Sequence, residues 1–206
     1  MTPASRVHIV DDDPSVRDAL ALLLSTAQIE SRGYESAEEF LASGVVGDAV
    51  CILLDIQLPG MSGVELLERV ALSGSKAAVI MITAYPDVPT AVATMRMGAF
   101  HFVQKPFDAE ALLLTIEEGI ARSNEVADLQ RESREIAGRL ATLTRREQEV
   151  FALLAEGQPT KVIAGRLAIT NRTAEHHRAA VMQKMQARTI SHLVRMALRI
   201  ERASPP

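Results

Sequence analysis

Cys51-Ile52-Leu53-Leu54-Asp55-Ile56-Gln57-Leu58-Pro59-Gly60-Met61-Ser62-Gly63 decides how the rest of the chain is read. An apolar run stops at a carboxylate, and turn formers follow it. Val50 to Leu54 is short, partly β-branched and almost wholly apolar, which predicts a strand covered on both faces of a parallel sheet. Asp55 then falls at the carboxyl end of that strand, the edge where α/β sheets present their chemistry. Taken alone, an Asp at a strand end does no more than open a turn.

Working outward, strand and helix patterns alternate. Val7-His8-Ile9-Val10 reads as a strand ended by Asp11-Asp12-Asp13-Pro14, whose acids and proline suit the first turn of a helix through Val16, Leu20 and Leu24. A second strand is expected around residues 29–34, followed by a helix with Phe40 and Leu41. Val64, Leu66, Leu67 and Val70 mark the next helical face. Ala78 to Ile82 is a fourth buried strand stopping at Thr83, and Pro89 to Met97 a helix ended by Gly98. Phe100 to Gln104 is a fifth strand stopping at Lys105-Pro106, and Asp108 caps a last helix through Leu112, Ile116 and Ile120. Five such units within residues 1–122 predict one doubly wound α/β domain.

Strand ends of one sense share an edge, so Asp11, Asp12, Asp55, Thr83 and Lys105 should converge. Clustered carboxylates repel and raise one another's pKa unless a cation is present. Oxygen donors with room for water suit Mg²⁺. Lys105 offers a compact positive charge and Thr83 a hydroxyl, both suited to phosphoryl oxygens, and a carboxylate beside a metal can itself attack phosphorus. No GxxxxGK[ST] or GxGxxG loop is present, so a nucleotide is not the expected phosphoryl source. His8 and His101 lack a second histidine at metal spacing and read as packed or surface residues.

Composition sets the compartment. The 206 residues are 48% hydrophobic and 23% charged, which indicates a folded soluble protein. No run is long and apolar enough for a membrane span, the N-terminus shows no secretory pattern, and the single cysteine, Cys51, lies inside an apolar run. A reducing cytoplasm is the expectation. The net charge of −4 is uneven: −9 over residues 1–122, −1 over 123–142 and +6 over 143–206. The basic back is the candidate for nucleic acid.

Residues 123–142 hold no proline and read as a helical linker continuing the last helix, with a break near Ser123-Asn124 as the alternative to an unbroken rod. From Leu143 to Pro206 the pattern is helical throughout. Thr144 and Glu147 form a capping box, Thr160 opens a short helix, Asn171 or Thr173 starts a third, and Ser191 a fourth. Four helices with a tight turn at Ile169-Thr170-Asn171 predict an all-α helix-turn-helix domain. On the third helix Arg172, Glu175, His176, Ala179 and Gln183 share a polar stripe opposite Ala174, Val181 and Met185. Phe151 is the only aromatic there, so duplex DNA is favoured over stacked single strands.

Val-Asp-Asp-Asp (10–13), Leu-Asp-Ile-Gln-Leu-Pro-Gly-Met-Ser-Gly (54–63), Ile-Thr-Ala (82–84) and Lys-Pro-Phe (105–107) resemble the receiver domain of two-component response regulators. The resemblance implies a flavodoxin-like sheet in the order 2-1-3-4-5. It also implies Asp55 as phosphoacceptor, Mg²⁺ held by Asp11, Asp12, Asp55 and the backbone carbonyl of Gln57, and Thr83 and Lys105 on the phosphoryl group. Thr83 and Phe102 would form the switch, although Phe102 also reads as ordinary core. A cis Lys105-Pro106 bond is common in that family. Leu143 to Val150, Ile163-Ala164 and Arg172 to Arg178 resemble the LuxR/NarL-type helix-turn-helix, with Ala174 where Val is usual and Thr160 in place of the common Asn. By that resemblance Lys161, Arg172, Thr173, His177, Arg178 and Lys184 meet phosphates, and Glu175, His176 and Ala179 lie nearest the base edges. The domain order is FixJ-like. The expected partners are a sensor histidine kinase, promoter DNA, a second copy on phosphorylation and RNA polymerase, with no membrane and no turnover chemistry. Two rivals stand beside this: a receiver that docks without phosphorylation, and an aspartyl-phosphate phosphatase. The phosphatase wants a second acid where Gln57 stands.

Overall fold

The computed structural model describes residues 7–203; residues 1–6 and 204–206, the outer ends of the two expected domains, lie outside it. The chain forms two compact units divided between residues 127 and 128.

In the first unit five parallel strands lie in the order β2-β1-β3-β4-β5. They are β1 (Val7–Val10), β2 (Ser31–Tyr34), β3 (Cys51–Asp55), β4 (Ala78–Thr83) and β5 (His101–Gln104). The helices between them are α1 (Pro14–Thr26), α2 (Ala37–Ala42), α3 (Gly63–Leu72) and α4 (Val88–Arg96), and α5 (Ala109–Ala141) follows β5. Every residue of β1, β3 and β4 is buried, as their unbroken apolar runs require of strands covered on both faces. Val10, Ile52, Leu54 and Met81 pack with Phe40, Leu66, Leu67 and Val70 of α2 and α3. Val7, Ile9, Leu53 and Ile80 pack with Leu20 and Leu24 of α1 and with Leu112 and Ile116 of α5. Alternate residues of one strand thus feed opposite cores, which is the doubly wound arrangement. His8 is buried, with its Nδ1 3.0 Å from the Tyr34 hydroxyl. Burial pushes the Cys51 thiol up to about 12, so it packs as a small inert core residue.

One close approach fixes the edge that matters. A Cβ on Gly63, the first residue of α3, would lie 1.9 Å from the Asp55 carbonyl oxygen, and the Gly63 N–H donates to the Ile56 carbonyl at 3.0 Å. Only a residue without a side chain lets α3 begin against the end of β3. Ser62 and Glu65 close a capping box at the same point.

α5 shows no break at Ser123-Asn124. The Ser123 hydroxyl is buried and donates to the Lys76 carbonyl at 2.8 Å, so the residue that suggested a break is instead seated against the first unit.

The second unit contains α6 (Arg145–Ala155), α7 (Thr160–Arg166), α8 (Asn171–Lys184) and α9 (Ile190–Ala203). Its core joins Val150, Leu154, Ile163, Val181, Met185 and Leu193 with Ile136, a residue the sequence placed in the linker. Thr170 caps α8 by accepting the Thr173 N–H at 3.1 Å. α9 starts at Ile190, one residue before the expected Ser191.

Candidate functional site

The ends of β1, β3, β4 and β5 bring Asp11, Asp55, Thr83 and Lys105 to one rim, because four parallel strands in register end together. Asp11, Asp55 and Thr83 are buried. Lys105 Nζ donates to Asp11 Oδ2 at 2.6 Å and to Asp55 Oδ2 at 2.5 Å. The second oxygen of each acid takes a backbone donor: Asp13 N–H to Asp11 Oδ1 at 3.0 Å, and Gln57 N–H to Asp55 Oδ1 at 2.8 Å. Thr83 Oγ1 accepts the Tyr85 N–H at 3.2 Å, and its carbonyl accepts the Lys105 N–H at 2.7 Å. The Lys105-Pro106 bond is cis.

Burial raises the Asp11 carboxyl above its ordinary pKa, against the pull of Lys105. Burial also draws Lys105 down, but its hydrogen bonds to Asp11 and Asp55 outweigh that and hold it above the usual lysine value. Asp12 is exposed, and one carboxylate oxygen from each of Asp11, Asp12 and Asp55 lies within 4.8 Å of the others. Three carboxylates against one ammonium leave the rim negative. The all-oxygen donor set, two-thirds of it buried, fits a small hard divalent cation. Asp13 stands apart as the N-cap of α1, accepting the Ser15 N–H at 2.8 Å, which holds its carboxyl below the usual range. Gln57 is exposed at the start of the next loop, and Phe102 is half-buried, packed on the α2–α3 side of the sheet.

In the second unit Arg172, Glu175, His176, Ala179 and Gln183 are all exposed, while Ala174, Val181 and Met185 are fully buried. Lys161 is exposed, and His177 and Arg178 are half-buried. Arg178 lies 3.5 Å from both Glu175 Oε2 and Thr160 Oγ1. Thr173 is taken up by the cap of its own helix, its Oγ1 2.8 Å from that of Thr170. Lys184 departs from the expectation of a phosphate contact: its ammonium donates to Glu147 Oε2 at 2.7 Å. Glu147 is buried and also accepts the Thr144 N–H at 2.7 Å, and Lys184 with that N–H holds its carboxyl down to about 2. Spacing on α8 could not find this pair, because Glu147 is 37 residues away.

Residues 7–117 match the family described as response regulator receiver domain, and residues 141–197 match bacterial regulatory proteins of the luxR family. The transcriptional regulatory protein FixJ of Azorhizobium caulinodans is 42% identical over 192 residues, covering 93% of this chain and 91% of FixJ. The chain belongs to the FixJ-like response regulators. Among solved structures, the response regulator StyR matches this response regulator with a TM-score of 0.85 at 36% identity, over 94% of this chain and 98% of StyR. Full-length FixJ from B. japonicum matches at a TM-score of 0.59 and 36% identity, over 98% of this chain and 99% of that one. The response regulator is thus a two-component transcription regulator with a LuxR-type DNA-binding domain. No helix among its described residues is long and apolar enough to cross a membrane.

Proposed function

We propose that the protein is switched by phosphorylation of Asp55 and, in the phosphorylated state, binds promoter DNA as a homodimer. The observation that carries this reading is the rim itself: Asp55 Oδ2 2.5 Å from Lys105 Nζ, beside Asp11 and Asp12. A sensor histidine kinase presents phosphohistidine. An Asp55 carboxylate oxygen attacks phosphorus, the P–N bond breaks and the imidazole leaves with the electron pair, taking a proton. Lys105, freed from its carboxylates, offsets charge on the phosphoryl oxygens, and Thr83 donates its hydroxyl to one of them. Asp11, Asp12, Asp55 and the Gln57 carbonyl would hold Mg²⁺, which when bound supplies further charge neutralisation at the phosphoryl group. Gln57 is no carboxylate and supplies no general base there, which favours a chain that accepts a phosphoryl group, and can lose it by its own hydrolysis, over a turnover phosphatase.

The reading of a dimer draws on Val88, Val92 and Met95, which leave the outer face of α4 apolar and exposed. Movement of Thr83 and Phe102 would reshape that face together with β5 and α5, favouring association. Two copies then offer two α8 helices to half-sites about one DNA turn apart. Lys161, Arg172 and Arg178 would meet phosphates, with Glu175, His176 and Ala179 toward the bases. Contact with RNA polymerase follows at the promoter, and such a protein works in the cytoplasm.

The test is incubation with acetyl phosphate and Mg²⁺, with Asp55→Asn as control, followed by intact mass, light scattering and duplex binding. Gain of one phosphoryl group by the wild type alone, with dimerisation and tighter duplex binding, is expected. A wild type that gains none overturns the reading.

A further inference from the structure

The loop behind Asp55 is held from outside the site. Glu38, on α2, reaches across 23 positions of sequence, and its Oε1 accepts the Met61 N–H at 2.9 Å. A Cβ on Gly60 would lie 2.7 Å from the same oxygen, so the carboxylate rests against the loop backbone. Gly60 has a φ of +76°, which turns the chain toward this contact and leaves room for it. Glu38 is not needed to start its own helix. Ser36 caps α2 by accepting the Glu39 N–H at 3.2 Å, and Glu39 serves the Glu35 N–H at 2.8 Å.

The loop has further attachments: two on Asp55, one from the Ile56 N–H to the Ile82 carbonyl at 3.1 Å, and the half-buried side chains of Leu58 and Met61 packed against the core beneath α2 and α3. Gln57 N–H donates to the Asp55 carboxylate, and Gly63 abuts the Asp55 carbonyl. Gln57, Pro59 and Gly60 are exposed around the half-buried Leu58, and Glu38 adds a hydrogen bond from α2 to the backbone at Met61. A small divalent cation demands near-octahedral oxygens at about 2.1 Å, so a loop displaced by a few tenths of an ångström spoils its site. Groups that orient ligands without touching the metal typically change affinity about tenfold or more when removed.

Resting on the phosphoacceptor reading above, we infer that Glu38 is a positioning residue for the acidic rim: by accepting the Met61 N–H it holds the Gln57–Met61 loop where the Gln57 carbonyl and the Asp55 carboxylate keep the spacing that a Mg²⁺ ion requires. Glu38 acts through the loop and touches neither the metal nor the phosphoryl group. Its acceptor oxygen carries the role, not its charge.

The test uses the full-length chain as wild type, Glu38→Ala and Glu38→Gln. Mg²⁺ affinity is measured by calorimetry, exchange of the Met61 amide is measured without metal, and the acetyl phosphate reaction is followed at limiting and saturating Mg²⁺. Glu38→Ala should lose Met61 protection, bind Mg²⁺ about tenfold more weakly, and react slowly at limiting but normally at saturating Mg²⁺. Glu38→Gln, whose amide oxygen still accepts the N–H, should resemble the wild type in all three. Unchanged Mg²⁺ affinity in Glu38→Ala, with a wild type that is phosphorylated normally, overturns the positioning role and leaves the phosphoacceptor reading standing. Equal losses in Glu38→Gln and Glu38→Ala overturn the acceptor role in favour of charge. A wild type that shows no Mg²⁺-dependent phosphorylation overturns both readings.

Discussion

Breaking the Glu147–Lys184 pair should cost stability in the second unit, not affinity at a phosphate. The Glu147 side chain is 8% exposed and that of Lys184 37%, with 2.7 Å between Nζ and Oε2. Glu147→Ala removes the capping acceptor for the Thr144 N–H, worth about 1 kcal/mol, and a charge-assisted hydrogen bond of about 1.5–3 kcal/mol. The sum, roughly 2.5–4 kcal/mol, stays below the upper range for a fully buried pair because the stranded ammonium can rehydrate. Lys184→Met leaves the Thr144 bond in place and should cost about 1.5–3 kcal/mol. The double variant should show a coupling energy of about 1–3 kcal/mol. Native-state hydrogen exchange of peptides from α6 and α8 reads these changes, with β3 and β4 as internal controls, since the two units need not unfold together. In duplex binding, Lys184→Met should keep the wild-type salt slope. A Lys184→Met variant that keeps α6 and α8 protection unchanged while its salt slope falls by about one, the signature of a lost phosphate contact, would return Lys184 to the DNA backbone.

The same pair sets a pH dependence. The folded carboxyl is held near 2 against an ordinary 4.5, so its stabilisation is complete above the unfolded value and is lost as pH falls from about 5 toward 2. Acid melts of the second unit should therefore be steeper in the wild type than in Glu147→Gln. Lys105→Met should keep the fold but slow phosphorylation by acetyl phosphate roughly 10²-fold or more, since the ammonium is the rim's own cation; a rate within twofold of wild type would remove Lys105 from the chemistry. Gly63→Ala drives a methyl into the Asp55 carbonyl and should destabilise the first unit by about 3 kcal/mol or more, seen as lost protection in β3 and α3. Arg172→Ala should lower the DNA salt slope by about one; a slope unchanged from wild type would take Arg172 off the phosphate backbone.

Much of the site was legible because its information is local. Asp11, Asp12, Asp55, Thr83 and Lys105 each follow an apolar strand, and a parallel sheet sends such ends to one rim whatever fills the loops between. The capping box at Thr144 and Glu147 and the buried face of α8 were readable for the same reason, since both obey helical spacing over a few residues. The continuation of the last helix into the linker was readable, but whether it breaks at Ser123 was not, because that turns on a hydroxyl meeting the Lys76 carbonyl 47 residues away.

By itself, then, the sequence determined an α/β fold followed by a helical one, the strand ends that carry the acids and the polar stripe of α8, because periodicity and turn chemistry act over neighbouring residues. Tertiary structure alone decided which charges are free and which are committed. Lys184 and Arg172 look equivalent on one helix, but Lys184 meets Glu147 and Arg172 does not; Glu38 looks like any exposed helix acid until α2 lies beside the loop after Asp55. Hydrogen bonds depend on distances that only the packed chain sets, and a residue type in a sequence carries none of them.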